Sequence, residues 1–151
     1  MPDTDAPVFR RALIALNGGP SDERIVRLVV GLAPKDAELI AVHVVEIDWT
    51  LPLDADIAGR SEEVQRVLDT AEAIAEERKL VMEPVLLQAR DVGAAIVDEA
   101  TERDADLLVV GLPYRTRFGG EFAIGRTVPY ILQNAPCAVW VVREPMSEEP
   151  S

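Results

Sequence analysis

Cysteine and histidine occur once each in the 151 residues, as Cys137 and His43. A single cysteine excludes an intramolecular disulfide, and one histidine with one distant cysteine does not make a zinc site. Basic residues are scarce as well: 15 Lys and Arg stand against 27 Asp and Glu, a formal net charge of -12. That balance argues against binding nucleic acid or an anionic membrane surface through bulk charge, because such partners need clustered cations to replace their counterions. No apolar run approaches the roughly eighteen residues of a membrane-crossing helix, and no basic stretch followed by an apolar one opens the chain. A soluble, reducing, cytoplasmic setting is therefore expected.

What is present suits one globular domain, since 48% of the residues are hydrophobic and a chain of this length can bury a core. Met1 to Pro7 and Pro145 to Ser151 are short, polar and proline-bearing, so residues 8–144 are expected to form the domain, with flexible tails at 1–7 and 145–151. Between the tails the pattern alternates strand and helix, the signature of an α/β fold with a mostly parallel sheet. There is no internal repeat and no low-complexity segment.

The first strand is expected at Ala12 to Leu16, followed by Asn17-Gly18-Gly19-Pro20. Ser21 is placed to cap a helix with Asp22 and Glu23 in its first turn, where acids complement the helix dipole. Ile25, Leu28, Val29 and Leu32 fall at helical spacing and Pro34 ends the helix. Glu38 to Glu46 reads as a second strand, on which His43 is expected to be a hydrogen-bonded core residue. Ile47 to Arg60 is a longer connection bearing Asp48, Trp49, Asp54 and Asp56, whose spacing does not match a calcium loop. Ser61 caps a helix to about Lys79 with Val64, Val67, Leu68, Ala71, Ile74 and Ala75 as its buried stripe. Val81 to Gln88 follows as a strand, and Asp91 caps a helix from Val92 to Arg103 with Val92, Ala95, Ile96 and Ala100 inward.

The chemistry concentrates in Leu107 to Arg143. Leu107 to Val110 is a continuous apolar run suited to a strand buried on both faces, and Gly111 is expected to stop it. Gly119, Gly120 and Gly125 follow, interleaved with Arg115, Arg117 and Arg126, and Thr127 stands at a helix start. Glycines let a backbone turn its N–H groups toward an anion, and a helix N-terminus adds further N–H groups with partial positive charge. Three arginines against one acid, Glu121, reverse the sign of the chain locally. The loop is thus a candidate phosphate cradle, although glycine and arginine are also common in plain surface loops. Ala138 to Val142, with Trp140, reads as a short edge strand able to pair with a second copy.

The Asn-Gly-Gly turn after the first strand, Ala41-Val-His-Val-Val-Glu46, Asp104-Ala-Asp-Leu-Leu-Val-Val-Gly111 and Asn134-Ala-Pro-Cys-Ala-Val-Trp-Val-Val-Arg143 together resemble the universal stress protein family. The likeness runs from Arg11 to Arg143. It implies a Rossmann-like, open parallel five-stranded sheet in the order 3-2-1-4-5 with helices on both faces, the first and fourth strands flanking the switch point. It further implies homodimers and, in many members, ATP held by the loop after the fourth strand. The ligand set that it implies comprises Leu16, Asn17, Gly18 and Gly19 after the first strand and Val44 on the second. From the fourth strand onward it comprises Gly111, Leu112, Gly125 and Thr127, to which the loop's own composition adds Arg117, Gly119, Gly120 and Arg126 as candidate phosphate contacts. The chain departs from the family pattern in places. Asn17 stands where an aspartate is usual, Tyr114 replaces the second glycine, ten residues precede Gly125, and Arg126 takes the place of the hydroxyl, with Thr127 one position later.

The loop also resembles the variant of this domain attached to amino-acid permeases, which implies a membrane transporter as partner. Three readings follow. One is a stress-response regulatory domain binding ATP or AMP, and the second is a dimeric interaction module that has lost the nucleotide. The third, a nucleotide-hydrolysing enzyme, is disfavoured because no base, nucleophile or metal constellation stands in the loop, so no enzymatic activity and no metal are expected.

Overall fold

The computed structural model describes residues 7–47, 50, 61–116, 120 and 122–146. Arg11–Leu16 forms β1, Asp22–Leu32 α1, Glu38–Glu46 β2 and Ser61–Glu77 α2. Val81–Ala89 forms β3, Val92–Glu102 α3, Leu107–Leu112 β4, Thr127–Asn134 α4 and Ala138–Arg143 β5. The five strands make one sheet in the order β3-β2-β1-β4-β5, every pairing parallel, as expected.

β1 is the central strand, and Ala12 through Leu16 are all buried. Successive side chains of a strand point to opposite faces. Accordingly Ala12, Ile14 and Leu16 join the core under α1 and α2, while Leu13 and Ala15 join the core under α3 and α4. The chain moves from β1 outward to β3 through α1 and α2, then crosses back to β4 and on to β5 through α3 and α4. Parallel crossovers keep one hand, so the reversal of direction sends the second pair of helices to the opposite face. β5 lies at one edge, where the sequence puts it. β3 lies at the other and carries Pro84, which an edge strand tolerates because it need not donate on its free side.

Three local expectations are corrected. The buried side of α1 is Ile25, Val26, Val29 and Val30, while Leu28 and Leu32 are 42% and 50% exposed. The helix is apolar around most of its circumference, so two spacings were available, and packing selects the one that turns Ile25 inward. Gly111 does not stop β4, which runs on through Leu112 with Gly111 paired to Val142. A side chain at 111 would start 2.7 Å from Ile25 Cδ1, so the glycine serves close approach of α1 to the sheet. Ser21 makes no side-chain cap on α1. Asp91 does cap α3, accepting from the Ala94 N–H at 3.1 Å. The side chain of Ser61 and the residues Asp48, Trp49, Asp54 and Asp56 lie outside the described set.

Gly111→Ala should lower stability by about 1–3 kcal/mol, as overpacking of a filled site does. Ile25→Val removes the Cδ1 that the new methyl meets, so the double variant should be more stable than the two single losses added together, read by urea denaturation. Strict additivity would contradict the contact.

Candidate functional site

In an open parallel sheet, ligands bind beyond the carboxyl ends of the strands where the strand order reverses. Here that point lies between β1 and β4, which pair through Ala15 and Val110. The turn after β1 and the loop after β4 therefore leave the sheet side by side. Gly18, Gly120 and Gly125 have φ of 81°, 89° and 79°, a backbone region that strongly favours glycine. All three fall in these two connections. α4 begins at Thr127 with its carboxyl end running back toward the amino ends of the strands, and Arg126 at its N-cap gives no side-chain cap. Its first N–H groups thus face the same end of the sheet as Asn17 and Gly18.

Two neighbouring clefts open at this end. One, of about 420 Å³, gathers Asn17, Gly18, His43 and Val44 against Glu63 and Val67 of α2. The other, of about 430 Å³, gathers Leu16, Gly18, Gly19 and Asp22 against Arg66 and Thr70. Of the expected ligand set, Leu16, Asn17, Gly18, Gly19 and Val44 are thereby brought together. Gly111 and Leu112 are not part of either cleft: both are within the β4–β5 ladder, and Leu112 is buried in the α3/α4 core. Gly120, Gly125 and Arg126 are exposed and Thr127 is half-buried on the β4 side of the switch point. Arg117 and Gly119 lie outside the described residues. Larger hollows sit at the opposite end of the sheet, around Arg11, Lys35, Glu38 and Asp104. Some of their charged groups are already paired: Asp106 accepts from the Arg10 and Arg11 N–H groups, and Arg11 meets Glu38.

Several residues at the site were not legible beforehand. His43 is hydrogen-bonded, as expected, but it is half-buried and on the cleft wall. Its Nδ1 lies 2.9 Å from the Leu16 carbonyl; a carbonyl only accepts, so Nδ1 carries the proton and donates. Asp22 turns back from the start of α1, and its carboxylate accepts from the N–H groups of Asn17 and Gly18 at 3.2 and 2.8 Å. Asn17 Oδ1 accepts from the Gly19 N–H at 2.7 Å, so Asn17 shapes the turn rather than reaching outward. Glu144, just past β5, accepts from the Ser21 hydroxyl and, at 3.3 Å, from the Tyr114 N–H. Tyr114 stacks on Phe122 with ring centroids 5.3 Å apart, and the Arg143 guanidinium lies 5.0 Å from the Tyr114 ring centre. The side chain that replaces a glycine is thus held aside by an aromatic and a cation. Among the described residues, no group of three or more His, Cys, Asp or Glu could hold a metal ion.

Comparison with known proteins agrees with this fold. The profile of the universal stress protein family matches residues 9–143. A curated relative, the sensor protein KdpD of Mycobacterium tuberculosis, is 30% identical over 142 residues, and the chain spans 15% of that protein's length against 93% of its own. Among solved structures, the universal stress protein from Archaeoglobus fulgidus in complex with dAMP superposes with a TM-score of 0.66 at 20% identity, covering 89% of this chain and 98% of that one. A universal stress protein family protein from Arabidopsis thaliana with AMP bound gives 0.64 at 16% identity, covering 94% and 97%. Among the described residues no helix is long and apolar enough to cross a membrane.

Burial pushes the Asp22 carboxyl above the ordinary carboxylate range; the Asn17 and Gly18 N–H groups pull it back, and Glu144 pushes it up further. The folded chain therefore holds this proton to a higher pH than the unfolded chain. The contribution of Asp22 to stability is full below about 3.9, the ordinary value, and is lost as pH rises through the folded value. Asp22→Asn carries no such proton. The melting temperature of the variant minus that of the parent should thus become more positive as pH rises from about 3.9 through the folded value. A difference that stays flat or falls would show that burial does not govern this carboxyl.

Proposed function

Since the chain belongs to the universal stress protein family, we propose that it is a regulatory domain that binds an adenine nucleotide, ATP or AMP, at the carboxyl ends of β1 and β4. The observation that carries this reading is the convergence at the switch point of two glycine turns with positive φ and the N-terminus of α4, to which Arg126 gives no side-chain cap. Backbone N–H groups presented in this way, with a helix dipole behind them, are the usual means of meeting phosphate. The AMP and dAMP complexes of structural relatives support the choice of an adenine nucleotide. The base would enter the cleft beside Val44, and the phosphate would lie toward Gly125, Arg126 and Thr127. The role proposed is binding and signalling in a stress response, without hydrolysis, in a cytoplasmic homodimer joined through β5.

A second reading is favoured by one observation. Asp22 and Glu144 already occupy the N–H groups of Asn17, Gly18 and Tyr114, which suits an interaction module that acts on a partner such as an amino-acid transporter without any nucleotide.

Calorimetry on protein stripped of copurified ligand separates the two. The first reading expects heat with ATP or AMP. Arg126→Ala should weaken binding roughly ten- to a hundredfold, as loss of one charge-assisted hydrogen bond does. Gly125→Val should abolish binding, because its φ of 79° is strained for any residue with a side chain. No heat with any adenine nucleotide at millimolar concentration would leave the interaction module standing.

A further inference from the structure

Glu144 is the first residue past β5, and its backbone is held: the N–H donates to the Leu112 carbonyl at 2.9 Å, extending the β4–β5 ladder by one bond. The root of the side chain is therefore fixed beside the point where the β4 loop departs. From there the carboxylate spans two connections. One oxygen accepts a hydrogen bond from the hydroxyl of Ser21, which precedes α1 in the turn after β1, and the other accepts from the Tyr114 N–H in the loop after β4. A single anion thus ties together the two segments that flank the switch point.

The donors it uses are of the kind a phosphate would use. Carboxylate and phosphate both accept charge-assisted hydrogen bonds from N–H and O–H groups, and they repel each other in one small site. Asp22 places a second carboxylate on the Asn17 and Gly18 N–H groups nearby, but those bonds lie within one turn and shape it. Glu144 differs because it arrives from the far end of the chain, 123 positions from Ser21, and its removal leaves the β1 turn intact. Tyr114 is kept at its post independently, by Phe122 and Arg143. Loss of the Glu144 carboxylate would therefore free the Tyr114 N–H rather than collapse the loop.

We infer that Glu144 is a built-in stopper: a tethered carboxylate that holds one donor from each of the two switch-point connections and whose charge a nucleotide's phosphate must displace. The inference rests on the nucleotide-binding reading above. It makes the affinity of the site a property set by the segment after β5, low while Glu144 is seated and higher once it leaves.

The test is calorimetric titration of AMP and of ATP into ligand-stripped parent protein, Glu144→Ala, Glu144→Gln and a distant control, Glu102→Gln at the exposed end of α3. Glu144→Ala removes both charge and occlusion, and should bind about tenfold tighter than the parent. Glu144→Gln removes the charge alone while keeping the shape, and should fall between the two. Glu102→Gln should stay within about twofold, because a charge beyond a Debye length is screened. The β4–β5 ladder bond of residue 144 is made by the backbone, so both Glu144 variants keep it, and a thermal melt of each confirms the fold. If the parent binds and neither Glu144 variant binds tighter, or if the control gains as much, the stopper is overturned while the nucleotide reading survives. If the parent and all variants are silent, both fall. A parent that binds measurably and a Glu144→Ala that binds at least tenfold tighter is the strongest result in favour.

Discussion

The double burial of β1 is the constraint from which the rest of the architecture follows. Five consecutive buried residues, Ala12 to Leu16, require cover on both faces and pairing on both edges, and each large apolar side chain so buried is worth about 1.5–3 kcal/mol. β2 and β4 take the edges. α1 and α2 cover one face while α3 and α4 cover the other, which a chain of right-handed crossovers achieves only by reversing direction once. That reversal places the β1 turn and the β4 loop next to each other. The site is thus a consequence of how the core is closed.

What the fold brings to the switch point is not a simple anion cradle. It holds glycines with positive φ, a helix start to which Arg126 gives no side-chain cap and two carboxylates, Asp22 and Glu144, that already satisfy some of the donors. Unsatisfied N–H groups at a partly buried turn are costly, so in the free protein some acceptor must meet them. Water can do so at the exposed Gly120 and Gly125, whereas at the tighter β1 turn Asp22 does. The acidity of the whole chain, -12, further sets an electrostatic penalty on any polyanion that approaches. Nucleotide recognition here is accordingly a competition between anions.

The five strands, their parallel α/β class and the edge position of β5 were legible in the residues, because buried parallel strands announce themselves as short apolar runs; the strand order, the central β1 and the switch point came from the resemblance to the family. Most element bounds were right to a residue or two. The side of α1 that packs inward was not legible, since Leu28 and Leu32 are as apolar as Val26 and Val30; only the close approach of Ile25 to Gly111 decides it. For the same reason Gly111 read as a terminator when it is a contact point within β4. That Leu16, Asn17, Gly18 and Gly19 gather at the carboxyl end of β1 was legible because they close that strand and form its turn. Asp22 and Glu144 were not. Asp22 looks like an ordinary first-turn acid, and Glu144 looks like the last residue of the domain before a polar tail; their roles arise from contacts that no local pattern encodes, one of them between residues 123 apart.

The central claim is that the switch point between β1 and β4 is where this chain meets an adenine nucleotide. It is tested most directly by following backbone amide resonances while AMP is titrated into ligand-stripped protein. The account predicts that the largest shifts fall on Asn17, Gly18, Val44, Gly125 and Thr127, with Arg11, Glu38 and Asp104 at the opposite end of the sheet unmoved. Shifts centred on that opposite end, or none at saturating nucleotide, would contradict it.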